Sequence, residues 1–316
     1  MTRCTIGLLI TLALALLVTP PETCSSRKDS GMRQSTFDAQ AYKAEQRHEW
    51  GQSATGWKHH WETWERGAQH VNDRLVELAA IQPGHQVLDI ASGLGEPALT
   101  AARQVGPARK VVGTDIAPEM LAMARAAAEA LGLRHIEFRD MDAEAPDLPA
   151  HDFHAILCRF GLMFLPNLST ALTQLHQLLM PGGRLAAAVW GPPAHAPAIS
   201  LPLRIVRQRR HLPPPPAGVP GAFSLADEPR LHEYFQQAGF TQRQTEHVTV
   251  TLEYSSPEMF IEERLATSVN TRLLLAEASE AERADIFGAI KEELQTYREA
   301  DGLIRLRNDV LCIVGW

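Results

Sequence analysis

Three acidic segments of this chain stand at the ends of short apolar runs, where a side chain can meet a ligand while its backbone belongs to a sheet. Val87-Leu88-Asp89-Ile90 leads into Ala91-Ser92-Gly93-Leu94-Gly95, with Glu96 directly after. Val111-Val112-Gly113-Thr114-Asp115-Ile116 ends in a second acid, and Asp140-Met141-Asp142-Ala143-Glu144 is the third. An ionised carboxylate only accepts hydrogen bonds, so such positions suit hydroxyls, amines and cations. Gly93 and Gly95 let backbone approach a ligand where a side chain would block it.

Two ligand classes use a glycine turn after a first strand, dinucleotides and S-adenosylmethionine. Gly93-Leu94-Gly95-Glu96-Pro97-Ala98 satisfies the dinucleotide pattern, and Asp115 follows about 20 residues on, where a ribose-binding acid is expected. Charge argues the other way. A pyrophosphate would sit on the N-terminus of the helix starting near Pro97, and there Glu96 and Asp89 would crowd it. A sulfonium-bearing amino acid finds the same carboxylates favourable. S-adenosylmethionine is therefore the expected cofactor. A nicotinamide-dependent oxidoreductase and a non-catalytic Rossmann-like interaction module remain the alternatives.

The elements that must position these acids follow from periodicity. After Asp115 comes a helix from Pro118 to Leu131, opened by proline and stopped by Gly132. A third strand spans roughly His135 to Phe138. Phe153 to Phe160 is continuously apolar, as a strand buried on both faces should be. Asn167 caps a helix that places Leu168, Leu172, Leu175 and Leu179 on one face. Met180-Pro181-Gly182-Gly183 ends that helix, and Arg184 to Trp190 is the fifth strand.

Together these segments resemble the class I S-adenosylmethionine-dependent methyltransferases, in the small-molecule branch that includes ubiquinone/menaquinone biosynthesis and polyketide tailoring. Asp89-Ile90-Ala91-Ser92-Gly93-Leu94-Gly95 matches the first motif, Asp-x-Gly-x-Gly-x-Gly, with Ala91 in place of a glycine; an alanine there calls for a negative φ. Asp140 to Glu144 and Leu178-Leu179-Met180-Pro181-Gly182-Gly183 match further motifs in order. The resemblance implies that Asp89, Ala91, Gly93, Gly95, Ile116 and Ala143 surround the cofactor. It further implies that Asp115 accepts from ribose hydroxyls, Asp142 from the adenine amino group, and that Arg159 and Phe160 line the space around the methyl.

It also implies an α/β fold: a Rossmann-like, doubly wound, mostly parallel seven-stranded sheet with an antiparallel last strand, plus N-terminal helices and a helical cover. The expected organisation is an apolar segment and polar linker over about 1–35, N-terminal helices acting as a lid over about 36–80, and the cofactor-binding domain over about 81–316. A helical insertion is placed at about 256–300, from the helical stretches Pro257 to Leu275 and Ser279 to Tyr297 lying between strands at His247 to Tyr254 and Leu303 to Val314. Both stretches are expected to cover the acceptor. Glu228 to Gly239 is read as a helix and Leu212 to Pro220 as an exposed proline-rich loop.

The chain has 316 residues, 45% of them hydrophobic, enough for a full core. Its net charge of −7 speaks against a nucleic-acid partner. The short basic cluster Arg204, Arg207, Arg209 and Arg210 reads as a solvated helix face. Cysteines at 4, 24, 158 and 312 have neither metal-ligand nor disulfide spacing, and no metal is expected; Cys158 reads as a small buried hydrophobe.

Arg3 and the apolar run Ile6 to Val18 look like a leader, but the run is short of the roughly 20 residues that span a bilayer, and no cleavage pattern follows. Since S-adenosylmethionine is made in the cytosol, the reading is a cytoplasmic protein, with Met32 as a second start. A tether through residues 6–18 is the sole route to a membrane, and secretion is the remaining alternative.

Trp57, Trp61 and Trp64 recur on one helix face, with Trp50 before them. They either pack on the main domain or form a lid, with His59 or His60 near the acceptor. His195, in the loop leaving the fifth strand, is the best-placed candidate for a general base; the catalytic group is otherwise open. Methyl transfer from a sulfonium needs mostly positioning and desolvation, so an acidic phenol, enol, quinone or polyketide acceptor fits a site without an obvious base.

Overall fold

The short aliphatic runs form the centre of one seven-stranded sheet. The computed structural model describes residues 37–216 and 218–316. The expectations for residues 1–35, including the apolar run, Met32 and two of the cysteines, lie outside the described residues. The strands are β1 (Val87–Ile90), β2 (Val111–Asp115), β3 (Ile136–Asp140), β4 (Phe153–Arg159), β5 (Leu179–Trp190), β6 (Arg243–Tyr254) and β7 (Ile304–Gly315), in the order β3-β2-β1-β4-β5-β7-β6. The first five pair in parallel, and β7 runs antiparallel to both β5 and β6. The chain returns through β1 to β2 on one side and to β4 on the other, so a crevice opens at the carboxyl ends of β1 and β4, where open α/β sheets bind ligands.

Every residue of β1 and β2 is buried. Helices α1 (Ala39–Leu78), α2 (Ala98–Val105), α3 (Pro118–Ala130), α4 (Leu168–Leu178), α5 (Pro197–Arg209) and α6 (Glu228–Gln237) pack on the sheet. Between β6 and β7 come α7 (Pro257–Thr267), α8 (Val269–Leu275) and α9 (Glu280–Leu294), the insertion expected at about 256–300.

Several boundaries differ from the sequence reading. The N-terminal region is one unbroken helix of 40 residues, α1, about 60 Å long at 1.5 Å per residue. Asp38 caps it, its carboxylate accepting from Gln40 N and Ala41 N, both at 3.0 Å. Glycines hold it at backbone contact with the body. A Cβ on Gly56 would fall 2.4 Å from the Ala266 carbonyl oxygen of α7, and one on Gly67 would fall 2.4 Å from that of Thr251 in β6. The stretch 257–275 breaks at Ser268, whose hydroxyl accepts from Thr271 N and starts α8 anew. Asn167 stands at the cap position of α4 but does not cap it; its amide donates to Glu144 Oε2 at 2.8 Å. Leu179 already belongs to β5, which therefore begins before Arg184, and β3 runs to Asp140 rather than Phe138.

The basic cluster lies on α5 and just beyond it. Arg204 pairs with Glu293 and Arg209 with Asp285 of α9, while Arg210 donates to the Leu274 carbonyl. No helix among the described residues is long and apolar enough to cross a membrane.

Candidate active site

The turn after β1 begins at Ala91, whose φ is +54°. The negative φ expected there is thus incorrect: the backbone must reverse sharply so that Ser92 N can reach the Thr114 carbonyl at 2.8 Å. A non-glycine residue in this region costs on the order of 1 kcal/mol. The side chain fits because its neighbour is bare; a Cβ on Gly161 would lie 2.5 Å from that of Ala91.

Gly93, at φ +52°, has open space where its Cβ would be, and its N–H donates to Asp115 Oδ2 at 2.9 Å. Asp115 Oδ1 accepts from Ala117 N at 2.9 Å, so two backbone groups fix this carboxylate. Burial raises its pKa above the ordinary carboxylate range. Asp89 is fully buried behind the turn. Its Oδ2 accepts from Ala98 N at 3.0 Å, whereas its Oδ1 and the Ser92 hydroxyl are buried without a partner. Burial pushes the Asp89 carboxyl well above its usual value.

The N-terminus of α2 decides between the two ligand classes. Ala98 N is bound by Asp89, Leu99 N by the Gly95 carbonyl, and Thr100 N by Glu96 Oε2 at 3.0 Å. The Thr100 hydroxyl also donates to Glu96, at 2.7 Å. A pyrophosphate needs free N–H groups at such a helix end, and the protein's own carboxylates and the Gly95 carbonyl have taken these three. Glu96 does not stand loose at the entrance, as charge alone suggested; it is folded onto its own helix.

Asp142 forms the opposite side. Its Oδ1 accepts from Glu144 N at 2.9 Å and its Oδ2 from Lys43 Nζ at 2.6 Å. Lys43 also reaches Glu144 at 3.0 Å, and Arg47 forms a fork with Asp140. The first turns of α1 are thereby tied over the crevice.

One cavity connects these groups. Ala91, Gly93, Asp115, Ile116, Asp142, Ala143, Arg159 and Phe160 all line it, with Asp89 and Gly95 immediately behind. Trp50, Trp57, Trp61 and Trp64 of α1 line it too, as do Trp190, Phe164 and the segment 267–270 joining α7 to α8. The tryptophan helix face both packs and lines the cavity: Trp64 belongs to the core and also faces the cavity. Phe160, at φ +59°, stacks on Trp190 at 4.1 Å; Trp190 meets Trp64 edge-on at 6.1 Å, and Trp64 meets Trp57 at 5.0 Å. Arg159 forms a buried fork with Glu65 at 2.6 and 3.0 Å. Burial opposes its charge, yet Glu65, Glu96 and Asp89 outweigh that and hold it protonated.

Other expectations fail here. His195 is exposed on a single helical turn, Pro193–His195, and does not line the cavity, because the chain leaving β5 carries it outward. His59 and His60 are not on the cavity either. They sit with Glu262, ligand-type atoms within 4.8 Å of one another, the one such grouping among the described residues, apart from the site. Of the expected cover, α9 contributes no lining residue, whereas Ile199 and Leu203 of α5 do. Lys43, Gln46, Met120 and Arg264 line the cavity unannounced. Lys43 and Arg264 carried no signal, since a charge on a polar helix reads as solvated. Cys158 is buried, as expected, and burial pushes its thiol up to about 12.

Residues 87–183 match the family model described as methyltransferase domain. The matched segment is less than a third of the chain. It holds the glycine turn, Asp115 and Asp142. Among curated relatives, a demethylmenaquinone methyltransferase of Thermus thermophilus is 39% identical over 136 residues, 43% of this chain and 60% of the relative. An aklanonic acid methyltransferase of a Streptomyces species is 41% identical over 113 residues, 36% of this chain and 51% of the relative. The chain thus spans only part of the curated relatives it matches. In solved structures the fold recurs in the YcgJ protein of Bacillus subtilis, with TM-score 0.53, 19% identity, and 78% of this chain and 97% of that one covered. It recurs also in phosphoethanolamine N-methyltransferase 2 of Haemonchus contortus in complex with S-adenosyl-L-methionine, with TM-score 0.50, 17% identity, and 80% and 55% covered.

Proposed function

We propose that this protein transfers the methyl group of S-adenosylmethionine to a planar, electron-rich small molecule of quinone, phenol or polyketide type. The observation that carries the reading is the single cavity that runs from Gly93, Asp115 and Asp142 to a chamber walled by tryptophans. Its acidic end suits a ribose, an adenine amino group and a cationic amino acid. The open Cβ position of Gly93 and the unpartnered Asp89 Oδ1 and Ser92 hydroxyl are the features such a cofactor would satisfy. The relatives named for demethylmenaquinone and aklanonic acid support a ring-bearing acceptor.

When bound, S-adenosylmethionine supplies a methyl group on a sulfonium for in-line displacement. The protein's share is placement. Asp115, fixed by Gly93 N and Ala117 N, would hold the ribose hydroxyls, and Asp142 the adenine amino group. Phe160 and Trp190 present flat faces between that end and the aromatic chamber. The rings exclude water, which suits a step in which positive charge disperses, and they pre-align a planar acceptor. With His195 outside the cavity, the acceptor is best supplied already ionised or acidic.

Isothermal titration tests this. S-adenosylhomocysteine should bind at micromolar affinity or better, NADH should not, and Asp115→Ala should weaken binding by at least about 2 kcal/mol, as for loss of a charged hydrogen-bond acceptor. Binding of NADH instead would overturn the choice of cofactor, and silence from both would favour the non-catalytic alternative.

A further inference from the structure

The aromatic end of the cavity carries a charge that cofactor binding leaves unused. Arg264 of α7 lines it, with its guanidinium carbon 5.3 Å from the Trp64 ring centre. The residue is only 4% exposed, and the side chains that hold it, Glu263 and Thr267, are each 2% exposed. Nε and Nη2 donate to the Glu263 carboxylate, and Nη2 also donates to Thr267 Oγ1 at 3.0 Å. Tyr254 donates its hydroxyl to the same carboxylate at 2.6 Å. Nη1 makes no hydrogen bond among the described residues.

A buried ion pair of this kind is seldom more stabilising than apolar residues of the same volume, so stability does not account for it. A second observation points the same way. The Trp57 indole N–H is buried and has no partner, although Trp57 lines the cavity and its ring lies 5.0 Å from that of Trp64. An unmet buried donor costs about 1–3 kcal/mol, a cost that a bound acceptor oxygen would remove. Arg264 and Trp57 thus both pack against Trp64, in a chamber that Ile199, Leu203 and Val269 also line.

We propose that Arg264 and the Trp57 N–H hold an anionic oxygen of the methyl acceptor, selecting an ionised hydroxyaromatic or enolate over its uncharged counterpart. The proposal rests on the methyl-transfer reading and names its substrate class. Glu263 and Thr267 fix the guanidinium plane through Nε and Nη2, which leaves Nη1 as the donor for the oxyanion.

The test is titration of the protein saturated with S-adenosylhomocysteine, using 2-hydroxy-1,4-naphthoquinone, which is ionised at neutral pH, against the uncharged 1,4-naphthoquinone. The wild type should prefer the ionised compound by at least about tenfold, the size of one charge-assisted hydrogen bond. Arg264→Gln and Trp57→Phe should each lose most of that preference while S-adenosylhomocysteine affinity changes by less than about twofold; Arg264→Lys should keep part of it. Should R264Q not fold, W57F, which leaves the ion pair intact, decides by the same comparison. Equal affinity for the two quinones, no binding of the hydroxyquinone, or a preference that survives in R264Q or W57F overturns the proposal. Failure of the wild type to bind S-adenosylhomocysteine would instead overturn the methyl-transfer reading beneath it.

Discussion

Lys43 Nζ lies 2.6 Å from Asp142 Oδ2 and 3.0 Å from Glu144 Oε2, so one ammonium joins the start of α1 to the acidic loop after β3. With the Arg47–Asp140 pair it ties the long helix over the end of the cavity where an adenine would lie. The Lys43 side chain is only 14% exposed, yet Asp142 is partly open, so the pair is screened. Lys43→Ala should reduce global stability by no more than about 1 kcal/mol. Its larger effect should be local: faster amide exchange over residues 39–50, with exchange in β1 and β4 unchanged. Uniform acceleration across the chain would show that the tie holds the fold rather than the helix end.

The Asp89 carboxyl should make stability fall with rising pH. Burial raises its pKa well above the ordinary range in the folded protein. The folded state then keeps a proton that the unfolded chain has released. Stability is therefore full below the unfolded carboxylate value and declines as pH climbs through the native one. Asp89→Asn removes this titration, and its amide oxygen can still accept from Ala98 N. Ligand-free D89N should melt above the wild type at about pH 8, with the gap closing toward about pH 4. Parallel melting curves for the two proteins across that range would refute the account.

The approach of α1 to α7 leaves no room at Gly56, where an added Cβ would meet the Ala266 carbonyl oxygen at 2.4 Å. Backbone cannot yield as a side chain can. Gly56→Ala gains helix propensity worth up to about 1 kcal/mol, yet overpacking should cost about 1–3 kcal/mol. The net expectation in urea unfolding is a loss, together with weaker binding of any ligand that needs Trp57 and Trp61 in place. A stabilised G56A would mean that the two helices separate freely.

The glycine-turn end of the cavity was legible because it is local. Asp89, Gly93, Gly95, Asp115 and Asp142 each close a strand or turn whose period and punctuation lie within a few residues. The φ of Ala91 was not legible: the space that tolerates a left-handed alanine is made by Gly161, far along the chain. The tryptophan-lined end was mostly hidden for the same reason. The tryptophan face announced itself by its spacing, but Arg264 is drawn inward by Glu263, Tyr254 and Thr267, and nothing in a helix rich in charge marks one arginine as buried. His195 misled because position after a strand end does not fix direction; the turn at Pro193 sends it to solvent.

Arg159 and Glu65 offer the sharpest energetic test. Their fork is buried, with side chains 7% and 12% exposed, and Asn72 adds a donor to Glu65 at 3.0 Å. Removing one partner leaves the other charge buried without the hydrogen bonds of the fork. Glu65→Ala should therefore cost about 3–5 kcal/mol, more than any other single change considered above. Replacing both partners, as in Glu65→Leu with Arg159→Met, removes the stranded charge and should recover most of that loss. Denaturant unfolding of Glu65→Leu, Arg159→Met and the double variant gives the coupling directly. If the double variant is as unstable as E65A alone, the loss comes from packing at the α1–β4 contact, and the ion pair is not what holds α1 there.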